Sequence, residues 1–120
     1  HYRSSLLGAF ATAVAFSDCG DWLDDVVSQL DENRYLIKNL LSVKLPSVRY
    51  HIPDNGYLAW LDLESLKLGV DPSKVLLEKG RVAFNPGHAF GAQCSQYIRL
   101  NFATSPVIVT EAIERIARTV

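Results

Sequence analysis

The sequence predicts one α+β domain, in which helices pack on one face of a small, largely antiparallel sheet. Three observations lead to this prediction. The chain has 120 residues, a length typical of a single domain, and 48% of its residues are hydrophobic, which is typical of a globular protein. Apolar residues recur with a helical period in the first third of the chain. Short apolar–polar alternations bounded by turn residues then follow, and these are typical of strands.

The first predicted helix is the uncharged, alanine-rich run Leu6–Phe16, which follows Ser4 and Ser5, two residues that can cap a helix. A helix that is apolar on all sides must be covered on all sides. Either it is a central core helix wrapped by the rest of the chain, or its outer face contacts further protein. We expect the second arrangement, because the helix stands at the start of a small domain.

A second helix is predicted after the break at Asp18-Cys19-Gly20, with Asp21 as its cap and Pro46 beyond its end. Asp71-Pro72 starts a short helix that ends at Gly80, and Ser105-Pro106 starts the last helix. Four strands are predicted, with an irregular loop over Asn85–Gln96 and a turn over Pro53–Gly56. The predicted strands are Val48–Ile52, Tyr57–Leu63, Val82–Phe84 and Tyr97–Phe102.

Composition excludes several classes of function. Twelve basic and thirteen acidic residues leave a net charge of −1, without the basic excess of a nucleic-acid-binding protein. The two cysteines form no zinc or disulfide pattern, so we expect a reducing cytoplasm, and the three histidines show no metal-ligand spacing. The longest apolar run is too short to span a membrane. The chain has no methionine, and we therefore expect either that a leader was removed or that the chain is part of a longer protein.

Arg99 is the charged residue with the most unusual position. In an alternating strand, Ile98, Leu100 and Phe102 face one side of the sheet, while Tyr97, Arg99 and Asn101 face the other. Arg99 could simply lie on a solvated face. Alternatively, a guanidinium held on a rigid strand could bind a carboxylate through two parallel hydrogen bonds.

Three segments in order resemble a known family. They are Gly56-Tyr57-Leu58-Ala59-Trp60-Leu61-Asp62, Pro86-Gly87-His88-Ala89-Phe90-Gly91 and Tyr97-Ile98-Arg99-Leu100-Asn101-Phe102-Ala103. Together they resemble the C-terminal small domain of class I/II aminotransferase-fold enzymes that use pyridoxal 5′-phosphate (PLP). The sequences of these segments are most similar to the cystathionine β-lyase branch, the MalY/PatB-type C–S lyases. Leu7-Gly8, Trp22-Leu23 and Asn33-Arg34 extend the resemblance over nearly the whole chain.

The resemblance implies roles for four residues. Arg99 would bind the substrate α-carboxylate, and Gly56 and Tyr57 would lie in the segment that approaches the substrate. Phe90 would border the substrate side chain, although a loop aromatic that fills the domain core is an equal alternative. Trp60 is assigned to packing.

The resemblance also implies that residues 1–120 are the small domain and that the large catalytic domain lies outside this chain. The family's Schiff-base lysine follows a Ser-x-x-Lys pattern, and none of the five lysines here fits it. We therefore expect no catalytic residue in this chain and no activity from it alone.

The longer protein would be a PLP-dependent, homodimeric cystathionine β-lyase in the cytoplasm, without nucleic-acid or membrane partners. It would cleave the C–S bond of cystathionine or cysteine conjugates to pyruvate, ammonia and a thiol. Two alternatives stay open, namely the small domain of a class I/II aminotransferase and a non-enzymatic α+β binding domain.

Overall fold

A computed structural model describes residues 5–120. Its first helix, α1, spans Leu6–Asp18, and the side chain of Ser5 caps it by accepting a hydrogen bond from the Gly8 amide at 3.4 Å. Ser4, the other predicted capping residue, lies outside the described residues. A 25-residue helix, α2, spans Gly20–Lys44. The prediction of Asp21 as its cap is wrong, because α2 starts one residue earlier and Asp21 lies in its first turn.

Helix α1 is exposed along its whole length and has no buried residue. Its large apolar side chains are open to solvent, with Leu7 81% and Phe16 90% exposed. The arrangement as a central core helix is therefore wrong, because residues 5–120 leave the surface of α1 uncovered. Its contact with further protein stays a prediction. The Cα radius of gyration is 17.6 Å, against about 14 Å for a compact domain of this length. None of the described helices is long and apolar enough to cross a membrane.

The sheet has four strands, β1 (Arg49–Tyr50), β2 (Leu58–Asp62), β3 (Asn85–Pro86) and β4 (Tyr97–Asn101). Their order is β1-β2-β4-β3 and every neighbouring pair is antiparallel, which confirms the predicted fold class.

The predicted strand Val82–Phe84 is wrong. Arg81, just before it, has a left-handed φ of 54°, and the Val82 amide donates a hydrogen bond to the carbonyl of Leu76 at 3.3 Å. These two features direct the backbone of residue 82 toward the preceding helix, α3 (Pro72–Glu78), and away from β4. Pairing with β4 begins only at Asn85, inside the segment predicted to be an irregular loop.

Helices α2 and α4 (Pro106–Thr119) contact each other, and α3 contacts both α4 and β4. All three contribute buried apolar side chains to a single core with β2 and β4. These two strands contribute alternate residues to the core. The helices that form the core therefore lie on one face of the sheet, and we call the opposite face the open face. The members of the core are Ile37, Leu41, Leu45, Val48, Ala59, Leu61, Leu63, Leu76, Ile98, Leu100, Phe102, Val109, Ile113 and Ile116.

One buried polar side chain links the helical layer to the end of β4. Asn33 of α2 is fully buried, and its Nδ2 donates hydrogen bonds to the carbonyls of Phe102 at 2.9 Å and Thr104 at 2.8 Å. These carbonyls lie where the chain leaves the sheet for α4, so no strand partner is available to them. Asn33 therefore fixes the turn that follows the strand carrying Arg99.

We expect Asn33→Ala to lower the free energy of unfolding by about 2–3 kcal/mol, because one buried and one partly buried carbonyl acceptor lose their donor. Urea unfolding of the chain, followed by circular dichroism, measures this change. Asn39→Ala is the matched control on the same helix, since Asn39 is exposed and its side chain forms no hydrogen bond within residues 5–120. Equal effects of the two substitutions would contradict the role given to Asn33.

Candidate functional site

The open face of the sheet brings together the polar and aromatic residues of β2 and β4. Arg99 lies directly opposite Trp60 on one side and opposite Asn85 on the other. Two residues away along the strands, Tyr97 lies opposite Asp62, which in turn pairs with Arg49 of β1. Side chains of directly paired residues share a face, so all six can meet on this surface.

The guanidinium of Arg99 is held by two uncharged groups. Its Nη2 donates to Oδ1 of Asn85 at 3.2 Å, and its Cζ lies 4.6 Å from the ring centroid of Phe90. Its Nε is shielded from solvent and has no hydrogen-bond partner among residues 5–120. Nη1 also donates no hydrogen bond to any described residue, and it is not among the shielded atoms. The planar cation therefore has its Nη1 end free.

Three aromatic rings support this cation. Trp60 meets Phe90 edge to face, with ring centroids 5.4 Å apart and an interplanar angle of 87°. On its other side Trp60 stacks on Tyr97, at 5.4 Å and 17°. Both geometries are favourable for aromatic pairs. The ring of Phe90 is thus fixed in place beneath the guanidinium of Arg99.

A buried carboxylate completes the face beyond Tyr97. Asp62 is buried and accepts a hydrogen bond from Nε of Arg49 at 2.8 Å and one from the Glu64 amide at 3.0 Å. Burial alone would raise the pKa of Asp62, but the hydrogen bonds from the Glu64 amide, Arg49 and Tyr97 outweigh it and hold the pKa below its usual value. The hydrogen bond with Asp62 raises the pKa of the Tyr97 hydroxyl.

Comparison with known proteins finds relatives by sequence. No family model matches the chain. A cystathionine β-lyase of Corynebacterium glutamicum is 38% identical over 113 residues, which cover 94% of this chain and 30% of that protein. The cystathionine β-lyase PatB of Bacillus subtilis is 34% identical over 114 residues, covering 92% of this chain and 30% of that protein. Over nearly its whole length, this chain is therefore similar to about a third of these cystathionine β-lyases.

A solved structure and a further sequence relative extend this similarity. Cystalysin of Treponema denticola, whose crystal structure contains PLP, superimposes with a TM-score of 0.89 at 26% identity, over 96% of this chain and 29% of that chain. An aspartate aminotransferase of Pyrococcus horikoshii matches with lower identity, 27% over 97 residues, covering 80% of this chain and 25% of that protein. The chain thus spans about a third of the length of its cystathionine β-lyase relatives.

Of the residues that the family resemblance singled out, Arg99 and Phe90 lie in direct contact. Phe90 lies on the open face and is 46% exposed, so the alternative that it fills the domain core is wrong. Gly56 and Tyr57 are exposed and precede β2, three or more residues from the position of Trp60. That separation corresponds to about 10 Å along a strand. No contact joins either of them to Arg99 among the described residues.

Two residues of this site were missed by sequence reasoning. Trp60 does pack, as predicted, but it packs against Phe90 and Tyr97 on the same face as Arg99. Asn85 was placed in an irregular loop, although it accepts a hydrogen bond from Arg99. Neither contact has a local sequence signal, because each depends on which strands pair and in what register.

The described residues do not fit the cofactor itself. No lysine belongs to the set of residues around Arg99, and Lys44, for example, pairs with Glu114 at 3.0 Å on the helical side. The groups on the open face that remain available are a cation edge and aromatic surfaces. A cation edge beside aromatic surfaces can bind an anion that carries an apolar group.

We expect Asp62→Asn to lower the free energy of unfolding by about 1–2 kcal/mol near neutral pH, through loss of charge-assisted hydrogen bonds. Because the folded-state pKa of Asp62 is lowered, its stabilisation is present above the unfolded pKa of about 3.9 and is lost as pH falls through the folded value. The difference between wild type and variant should therefore shrink below about pH 4, as measured by urea unfolding.

Glu64→Gln serves as the control, since Glu64 is exposed and its side chain contacts only the exposed Arg49. It should change stability by less than about 0.5 kcal/mol. A stability difference between the wild type and the Asp62→Asn variant that stays constant from neutral to acidic pH would contradict the assignment.

Proposed function

We propose that this chain is the C-terminal small domain of a PLP-dependent cystathionine β-lyase and supplies the arginine that binds the substrate α-carboxylate. The substrate is cystathionine or a related cysteine conjugate, and the products are pyruvate, ammonia and a thiol. Support comes from the cystathionine β-lyase relatives and from PLP in the cystalysin structure. The observation that carries the proposal is the state of Arg99, a positioned guanidinium without an acidic partner among residues 5–120.

Arg99 is distinguished by a positioned guanidinium that has no acidic partner. Arg34, Arg49, Arg115 and Arg118 each form a salt bridge with a carboxylate, whereas Arg81 and Arg99 form none within the described residues. Of these two, Arg99 is the one whose guanidinium has a hydrogen bond and a ring contact within residues 5–120. Asn85 and Phe90 hold the guanidinium without neutralising it. A cation fixed by neutral groups keeps its full charge for an anionic ligand. A substrate carboxylate would meet the free Nη1 edge.

Arg99 would contribute through binding and orientation. When bound, PLP would supply an electron sink for a reaction at the substrate α-carbon. Binding of the carboxylate to Arg99 would fix the rotation of the α-carbon and thereby hold its C–H bond in one direction. Positioning of this kind can contribute several kcal/mol to the reduction of the barrier, to order of magnitude. The base that removes the proton would come from outside residues 1–120.

The same arginine could serve an aminotransferase, which returns a proton to the cofactor instead of eliminating a thiolate. The higher identity to cystathionine β-lyases, 38% and 34% against 27% for the aspartate aminotransferase, favours the lyase. An assay of the full-length protein with cystathionine tests this directly. Pyruvate release supports the lyase, whereas amino-group exchange with a keto acid supports the aminotransferase.

In the full-length protein, we expect Arg99→Ala to lower kcat/KM by an amount equivalent to about 2–5 kcal/mol, because the substrate carboxylate is left unpaired. Arg99→Lys keeps the charge but loses the planar fork, so its loss should be smaller. Both variants should keep the resting absorption spectrum of the cofactor. Steady-state kinetics with cystathionine measures these effects.

Arg118→Ala is the matched control, since Arg118 is an exposed arginine of α4 that pairs with Glu111 at 3.0 Å. Its kcat/KM should equal that of the wild type. Unchanged kcat/KM in Arg99→Ala would contradict the carboxylate role and favour the alternative that Arg99 simply lies on a solvated face of the sheet.

The first two helices support the proposal that a further domain exists. We define the apolar arm as residues 6–27, which comprise α1 and the first turns of α2. Its large apolar side chains are exposed, and α1 has no charged residue before Asp18. An exposed patch of this kind marks an interaction surface. Since relatives are about three times as long, the rest of the longer protein is the proposed occupant. The exposed residues are Leu6, Leu7, Phe10, Val14, Phe16, Trp22, Leu23 and Val27.

Without that occupant, we expect the isolated 120-residue chain to self-associate through the apolar arm. The double substitution Leu7→Glu and Phe16→Glu should make it monomeric, because two charges interrupt the apolar surface. Sedimentation velocity at several concentrations measures the change. Val70→Glu is the control, since Val70 is 88% exposed but lies outside the arm, and this variant should associate like the wild type. A wild-type chain that is monomeric at all concentrations would contradict the expectation.

A further inference from the structure

We propose that Asn85 and Phe90 are positioning residues that fix the guanidinium plane of Arg99 and present its Nη1 edge to the substrate. This inference rests on the proposed carboxylate role of Arg99. The inference gives β3 and the following turn a role in the site. Strand β3 is only two residues long, and it carries Asn85.

Asn85 controls the rotation of the guanidinium within its plane. Asn85 is the cross-strand partner of Arg99, and its Oδ1 accepts a hydrogen bond from Nη2 at 3.2 Å. An amide oxygen is a good acceptor for this donor, yet it carries no net charge. Asp or Glu at this position would also hold Arg99, but it would compete with a substrate carboxylate. An amide is therefore suited to positioning a cation that must still bind an anion.

Phe90 controls the tilt of the guanidinium. Its ring lies 4.6 Å from Cζ of Arg99 and is itself held edge-on by Trp60. The turn that carries Phe90 is tight, because a Cβ atom at Gly87 would lie only 2.0 Å from the carbonyl oxygen of Cys94. Only glycine allows these two backbone segments to approach so closely. The turn and Trp60 together fix the Phe90 ring.

A fixed guanidinium improves binding for an entropic reason. An arginine side chain has about 2 kcal/mol of rotamer entropy, part of which is lost when it binds a ligand. If Asn85 and Phe90 have already ordered Arg99, this cost is not incurred again at the binding step. Loss of either contact should therefore weaken substrate binding and leave the chemical step nearly unchanged.

The test uses the full-length, PLP-loaded protein with L-cystathionine as the probe. Asn85→Ala should raise KM about fivefold with kcat within about twofold, since an exposed hydrogen bond that orients a charged group is lost. Asn85→Asp should raise KM further, because the new carboxylate neutralises Arg99. Phe90→Ala should raise KM more than Phe90→Leu, because the leucine side chain keeps an apolar contact with the guanidinium of Arg99.

A double-mutant cycle separates positioning from a merely structural role. Lysine has no planar fork to orient, so in the Arg99→Lys background Asn85→Ala should change KM by less than about twofold. As a readout without turnover, the Arg99 Nε–H signal in ¹⁵N NMR should broaden in Asn85→Ala, since rotation of the guanidinium is less restricted. Gln93→Ala, an exposed residue of the same turn region, should leave both KM and this signal unchanged.

An unchanged KM in Asn85→Ala, or an equal rise in both the arginine and lysine backgrounds, would overturn the positioning role. Those results leave the carboxylate role intact if Arg99→Ala still lowers kcat/KM. If Arg99→Ala itself has no effect, the proposed function fails, and the positioning role fails with it. The two failures are therefore distinguishable within one set of variants.

Discussion

The pairing of β2 with β4 is the constraint on which the rest of the structure depends. Five residue pairs set one register, in which Ala59, Leu61, Ile98 and Leu100 face the helices. Because side chains alternate along a strand, a shift by one residue would turn this apolar set outward and turn Arg99 into the core. The burial of four apolar side chains thus also fixes the position of Arg99 on the open face. Core stability and site geometry have the same origin here.

The two arginines of the sheet show how neighbouring groups determine what a cation can do. Arg49 lies between Asp62 and Glu64, so its charge is satisfied within the chain and contributes to stability. Arg99, two strands away, contacts only an amide and an aromatic ring. Both residues are fixed on the same rigid surface, yet only Arg99 retains an uncompensated charge. The two arginines differ in charge compensation because different groups contact them, and not because different strands carry them.

Features that depend on neighbours in sequence could be predicted, whereas those that depend on pairing could not. The helix starts at Leu6 and Pro106, the β4 alternation and the face of Arg99 all follow from local pattern. The failure at Val82–Phe84 arose because a left-handed Arg81 redirects the chain, which apolar residues alone do not reveal. Likewise, the contacts of Asn33 and Trp60 join segments far apart in sequence, so no local pattern could indicate them.

Two features of the chain have no partner within residues 5–120, and they differ in chemistry. One is the apolar arm, whose large apolar side chains are exposed. In the rest of the domain, by contrast, apolar side chains of the sheet and helices are buried in one core. The other is the cation edge of Arg99, with shielded Nε and no acidic neighbour. A domain that functioned alone would gain nothing from exposing an apolar helix. A small lobe that docks through one surface and contributes a charged group to a shared site would need both. This combination is why we infer that the site is completed by protein outside this chain.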